Sequence, residues 1–262
     1  MKIARIKHKE GISHGIIEDD RVNIINGNIF GQWEVSGKTL PLSGVKLLAP
    51  VEPLQIVAIG LNYREHAREG NFSLPEEPVI FIKTINTITG PESYIILPKI
   101  APDEVDYEAE LVIVIGKKAK NVSEEEADKY ILGYTCGNDV SARDCQLKKD
   151  KQWARGKSFD TFAPIGPWIV TGIDGDSLGI KLILNDRIMQ NSSTSDMIFS
   201  CRKLVSFISH CMTLYPGSII MTGTPAGVGF TRKPPVFLRE GDKVVVEIEK
   251  IGKLINYVKR EV

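Results

Sequence analysis

Short runs of β-branched and apolar residues, separated by Gly, Asp and Asn, begin at the first residues and recur along the whole chain. Lys2–Ile6, Gly15–Glu18 and Val22–Ile25 read as three small strands, because β-branched side chains suit a pleated surface and the residues between them suit turns. Past Pro50 and Pro53 an apolar run, Ile56–Ile59, opens a larger body. A boundary near residue 50 therefore divides a small β unit, 1–50, from a main domain, 51–262. Further strands are expected at 79–82, 94–97, 107–115, 131–137, 167–171, 180–184, 218–222, 243–249 and 253–259.

Helical signals are fewer. Ser123 followed by Glu126 is a capping-box pattern for a short helix to about Tyr130, and Ser141 is placed to cap a helix through Lys149. The clearest helix is 201–213, after Ser200. Its residues Leu204, Phe207, Ile208, Cys211 and Met212 follow one helical face. No βαβ alternation and no internal repeat is visible. The pattern predicts a β-rich α+β fold with a mixed or antiparallel sheet rather than a Rossmann fold or a TIM barrel.

Composition narrows the function classes. The 262 residues include 33 Lys+Arg and 33 Asp+Glu, so no net basic field draws nucleic acid or an anionic membrane. No apolar run approaches the roughly 20 residues that span a bilayer. The start, MKIARIKHKEGIS, lacks a secretory apolar region. Cys136, Cys145, Cys201 and Cys211 form no CxxC pair, which reads as reduced cytoplasmic cysteine rather than a disulfide frame or zinc site.

The segment Asp103–Gly116 carries the most chemistry. On a strand, Asp106, Glu108 and Glu110 fall on one face while the chain runs on into an apolar core segment. Like charges beside a core call for a cation, although a solvated edge-strand face would carry the same pattern. Asp139, at the corner between the 131–137 strand and the Ser141 segment, could join Glu108 and Glu110; it could equally be a turn aspartate. An all-oxygen set suits Mg²⁺, Mn²⁺ or Ca²⁺ and not zinc.

His66 and Glu69 are three residues apart after the 56–59 strand, neighbours if that piece is helical. A carboxylate beside an imidazole orients it as a general base, while a lone exposed histidine is the plainer alternative. The following EGNFSLPEEP reads as a mobile loop able to act as a lid. His8 and His14 sit in the terminal β unit, and His210 beside the apolar stripe of 201–213 reads as structural. Lys83 and Lys157 end apolar or turn-rich segments and are either snorkelling lysines or site lysines. The Gly-rich turn 222–229 offers N–H and hydroxyl donors to an anion but lacks the Walker A lysine.

In order, IGLNYREHARE, PVIFIKT, VDYEAEL, GYTCGNDVSARDCQ, GKSFDTFAPIGPW and GSIIMTGTPAGVG resemble the fumarylacetoacetate hydrolase superfamily over about residues 50–250. The short acylpyruvase-type and 2-hydroxyhepta-2,4-diene-1,7-dioate isomerase-like members are the nearest in pattern. The resemblance implies a β-rich α+β catalytic domain, a homodimer and a bound divalent ion, Mg²⁺ first and Mn²⁺ or Ca²⁺ next. It places Glu108, Glu110 and Asp139 at the metal, His66 and Glu69 as the catalytic dyad, and Lys157 by the reacting carbonyl. Lys83, Arg143, Gln146 and Thr224 fall at substrate-contacting or supporting positions, and Asp106 at a supporting one. It further implies small 2-oxo acid substrates. The leading expectation is hydrolysis of a C–C bond in acylpyruvate-like 2,4-dioxo acids through a pyruvate enolate. Decarboxylation of oxaloacetate and isomerisation of the hydroxyheptadienedioate are the alternatives, and a non-catalytic binding protein is the remote one.

Overall fold

The chain opens on strands β1 (Lys2–His8), β2 (Gly11–Glu18), β3 (Arg21–Gly27), β4 (Trp33–Pro41) and the two-residue β5 (Lys46–Leu47). Then follow β6 (Ile56–Gly60), α1 (Arg64–Glu69), β7 (Val79–Lys83), β8 (Ile88–Thr89), β9 (Tyr94–Leu97), β10 (Val105–Asp106) and β11 (Ala109–Ile115). The middle continues with β12 (Ile131–Asn138), β13 (Ser141–Ala142), α2 (Ala154–Lys157) and β14 (Ala163–Val170). The last third holds β15 (Gly179–Leu184), β16 (Arg187–Ser193), α3 (Cys201–Cys211), β17 (Ile219–Met221), β18 (Lys243–Ile248) and β19 (Gly252–Arg260). This computed structural model describes residues 1–262.

The strands form a mixed, β-rich α+β arrangement. A 12-stranded sheet runs β4-β3-β2-β1-β14-β12-β11-β17-β6-β7, with β5 on β1 and β8 on β14. Its central pairs are antiparallel except β17 with β6. A 5-stranded sheet, β16-β15-β18-β19-β9, packs against it. The amino-terminal strands join the large sheet through the β1–β14 pairing of Lys2 with Val170 and Ile3 with Ile169. No helix is long and apolar enough to cross a membrane.

The core explains why β11 reads as an unbroken apolar run: both its faces are covered. Leu111, Ile113 and Ile115 enter the larger cluster, between the two sheets and α3, while Val112 and Val114 enter a second cluster with Ile3, Ile56 and Ile165. α3 buries Leu204, Val205 and Ile208, and Ser200 caps it by accepting the Lys203 N–H at 3.2 Å.

Two local expectations are corrected. The acidic segment is not one strand: β10 ends at Asp106 and β11 begins at Ala109, because the Glu108 N–H turns to the Asn138 side chain at 2.9 Å. Asp106 therefore does not share a face with Glu108 and Glu110. Ser141 caps no α-helix. It lies in β13, its hydroxyl donating to the Asp139 carbonyl at 2.9 Å, and a π-helical turn follows at Asp144–Lys149.

Candidate metal and acid–base site

β11 and β12 build the centre. Their antiparallel register sets Ala109 opposite Asn138, which brings Glu108 and Glu110 beside Asp139. One carboxylate oxygen from each of these three buried residues lies within 4.8 Å of the other two. Three buried cations surround them. Lys83 Nζ donates to Asp139 Oδ1 at 2.5 Å, and Lys157 Nζ donates to Asp139 Oδ2 at 2.6 Å and to Glu108 Oε2 at 2.7 Å. Arg143 Nη2 donates to Glu108 Oε1 at 2.7 Å.

The two glutamates respond oppositely. Burial works to raise the Glu108 pKa, but Lys157 and Arg143 outweigh it and hold the carboxyl well below the ordinary range. For Glu110, burial and then the Asp139 and Glu108 charges push the value well up, against the favourable Gly223 N–H at 2.9 Å. A buried carboxylate disfavoured by two others is a place where a cation lowers the energy. The donors are all carboxylate oxygens, so the set fits a hard divalent ion.

A cavity of about 280 Å³ opens onto this centre. Its inner end is polar: His66, Glu108, Glu110, Arg143, Gln146, Lys157 and Thr224. Its outer end is apolar, with Phe72, Phe81, Leu147, Trp153 and Phe230. α1 brings in His66, whose Nδ1 lies 3.2 Å from Glu69 Oε2. With the Nδ1 proton donated to that carboxylate, Nε2 is left free as a base. Glu69 in turn accepts the Gly227 N–H on both oxygens, at 3.0 and 3.1 Å, which ties α1 to the Gly-rich turn.

The remaining sequence candidates separate into cavity and support. Gln146 accepts from Arg143 Nη1 at 2.8 Å, and the Thr224 hydroxyl donates to the Ala109 carbonyl at 2.9 Å. Lys83, Asp139 and Glu69 lie behind the cavity wall: Lys83 and Asp139 grip each other, and Glu69 backs His66. The loop 71–77 has no regular structure and is largely exposed, and its Phe72 reaches the cavity. α1 itself is anchored, since Arg64 donates to the Met197 carbonyl at 2.6 Å and Ala67 is buried.

Sequence reasoning missed the aromatic wall. Phe81 has the Lys157 ammonium 5.2 Å from its ring centre and Trp153 edge-on at 5.5 Å, while Arg143 stacks on Phe230 at 4.4 Å. The available signal was positional: Phe81 is two residues from Lys83 on β7, and Trp153 is one helical turn from Lys157.

Comparison with known proteins finds matches across nearly the whole chain. Residues 55–259 match the family described as fumarylacetoacetate (FAA) hydrolase C-terminal, and residues 1–50 match Rv2993c-like, N-terminal. A fumarylacetoacetate hydrolase domain-containing protein 2 homolog of Dictyostelium discoideum is 51% identical, covering 91% of this chain and 80% of its own. A mitochondrial oxaloacetate tautomerase of Bos taurus is 48% identical, covering 84% and 71%. Among solved structures, a 5-carboxymethyl-2-hydroxymuconate delta-isomerase from Mycobacterium smegmatis superposes with a TM-score of 0.91 at 42% identity, covering 100% of both chains.

Proposed function

The chain belongs to the fumarylacetoacetate hydrolase family, and on that footing we propose that it is a divalent-metal-dependent tautomerase of small 2-oxo acids, with oxaloacetate as a substrate. The observation that carries the reading is the opening of the Glu108, Glu110, Asp139 centre onto the cavity that holds the His66 imidazole. Glu108, Glu110 and Asp139 would hold the ion, with Mg²⁺ favoured by the hard donor set and Mn²⁺ or Ca²⁺ as substitutes. When bound, the ion supplies Lewis-acid polarisation of the 2-oxo group.

The chain's own residues do the rest. His66 Nε2 takes the proton from C3 of the keto acid and delivers it to the C2 oxygen, giving the enol; the reverse order regenerates the ketone. Glu69 keeps the imidazole in the tautomer that leaves Nε2 basic. Lys157 and Arg143 set cationic charge beside the oxygen that becomes negative on the way. The same reading has the enzyme working as a homodimer, which light scattering at micromolar protein tests.

The test is the metal-dependent approach of enol-oxaloacetate to keto–enol equilibrium, followed by the enol's ultraviolet absorbance. His66→Ala should slow it by about 10²–10⁴-fold. A parent protein that gives no acceleration with Mg²⁺ or Mn²⁺, or a His66→Ala variant as fast as the parent, overturns the reading. C–C hydrolysis of an acylpyruvate is the second reading, favoured by the His66–Glu69 pair, which is equally suited to deprotonate water. Release of pyruvate from acetylpyruvate separates the two.

A further inference from the structure

Asp106 is fully buried, lies outside the three-carboxylate centre, and uses both oxygens. Oδ1 accepts the Tyr107 N–H and the Gly229 N–H, each at 2.8 Å; Oδ2 accepts Arg143 Nε at 2.9 Å and the Phe230 N–H at 3.0 Å. Four donors saturate the carboxylate, so it has no lone pair directed at a metal. Three of the four, Arg143, Gly229 and Phe230, lead to the site. Arg143 passes from Asp106 to Glu108 Oε1 and Gln146, its guanidinium lying over the Phe230 ring. Gly229 and Phe230 belong to the turn whose Gly227 N–H holds Glu69. The fit is tight: a Cβ on Gly229 would stand 2.0 Å from the Val236 carbonyl oxygen and 2.5 Å from Asp106 Oδ1.

We propose that Asp106 is a positioning residue for the metal centre: it aims Arg143 so that the guanidinium fixes one oxygen of Glu108, and it pins the Phe230 wall to the same guanidinium. This rests on reading Glu108, Glu110 and Asp139 as the metal ligands. Arginine is needed in the middle because its planar fork reaches two carboxylates at once, Nε to Asp106 and Nη2 to Glu108. A lysine there can satisfy only one of them.

The test uses Mn²⁺ alone, titrated into chelator-stripped protein by calorimetry, beside the melting temperature of the metal-free forms. Asp106→Asn and Arg143→Lys should each weaken Mn²⁺ binding by about 10–100-fold. The double variant should bind no more weakly than Arg143→Lys alone, because Asp106 acts through Arg143. With saturating Mn²⁺ most of the loss in the Asp106 variant should lie in KM rather than kcat. If Asp106→Asn does not fold, Arg143→Lys carries the test. A folded Asp106→Asn or Arg143→Lys protein with parental Mn²⁺ affinity overturns the proposal, and so does multiplicative weakening in the double variant. A parent that binds no Mn²⁺ overturns the metal reading itself and this proposal with it.

Discussion

Lys83 and Asp139 form an ion pair out of reach of water, Nζ to Oδ1 at 2.5 Å with both side chains at 1% exposure or less. Burial pulls the Lys83 pKa down and the Asp139 charge pulls it back up, burial being the stronger. Such a pair adds little over an apolar one, but losing one partner strands the other charge. Lys83→Met should therefore destabilise the metal-free protein by about 3 kcal/mol, the low end for a broken buried pair because Lys157 still holds Asp139. Urea denaturation in chelator measures it. A variant as stable as the parent would show that Lys157 alone satisfies Asp139.

Glu110 should behave in the opposite way. Burial and two neighbouring carboxylates disfavour its charge in the folded protein. Glu110→Gln removes that repulsion and keeps the shape and the oxygen that accepts the Gly223 N–H. Without metal the variant should melt no lower than the parent, yet it should lose the rise in melting temperature that Mg²⁺ or Mn²⁺ gives the parent. A variant still stabilised by the metal would remove Glu110 from the ligand set.

Much of this was legible in the sequence wherever one physical signal dominated. The span of β9 and, to within two residues, that of α3 follow from local apolar pattern and a serine cap; Glu108 and Glu110 stand out as like charges entering a core segment, Asp139 only as a corner aspartate, and the family resemblance is what joins the three into one ligand set. What was not legible depends on contacts distant in sequence. β16 (Arg187–Ser193) alternates too weakly to announce itself and is fixed by pairing with β15. The split between Asp106 and Glu108 requires the Asn138 side chain, thirty residues on, to take a backbone N–H. The aromatic wall is assembled from four separate segments, and no spacing rule joins Phe72, Phe81, Trp153 and Phe230.

The Glu69 latch carries a pH dependence. Burial tends to raise the Glu69 pKa, but hydrogen bonds from His66, the Gly227 N–H and the Thr231 side chain outweigh it and set it below its ordinary 4.5. A carboxyl lowered on folding stabilises the protein above its unfolded value, and that contribution fades as pH falls through the folded value. Glu69→Gln should thus lower the melting temperature at neutral pH, and the gap should narrow as pH falls below about 4.5. A gap that stays unchanged from neutral pH to below about pH 4 would mean that Glu69 does not enter the fold as a carboxylate.

On the proposed function, the outer cavity is where the substrate's far end would lie. Leu147, Phe81, Trp153 and Phe72 line it, and the two cations on the wall, Arg143 and Lys157, are already paired with carboxylates at the inner end. A charged group placed there would lose its water without gaining a partner. The protein should therefore favour a 2-oxo acid whose chain ends in an apolar group over one of equal length ending in a carboxylate, by about tenfold or more in kcat/KM. Oxaloacetate is short enough to stay at the inner end and should be indifferent to this wall. Gly60 supplies the check. It has ordinary backbone geometry, but a Cβ there would stand 2.6 Å from the Trp153 ring. Gly60→Ala should displace the indole, raising KM for the long apolar substrate while changing that for oxaloacetate less than about twofold, since the inner donors are untouched. Parallel loss on both substrates would mean that Trp153 braces the whole site, and a parent preference for the long dicarboxylate would refute the apolar assignment outright.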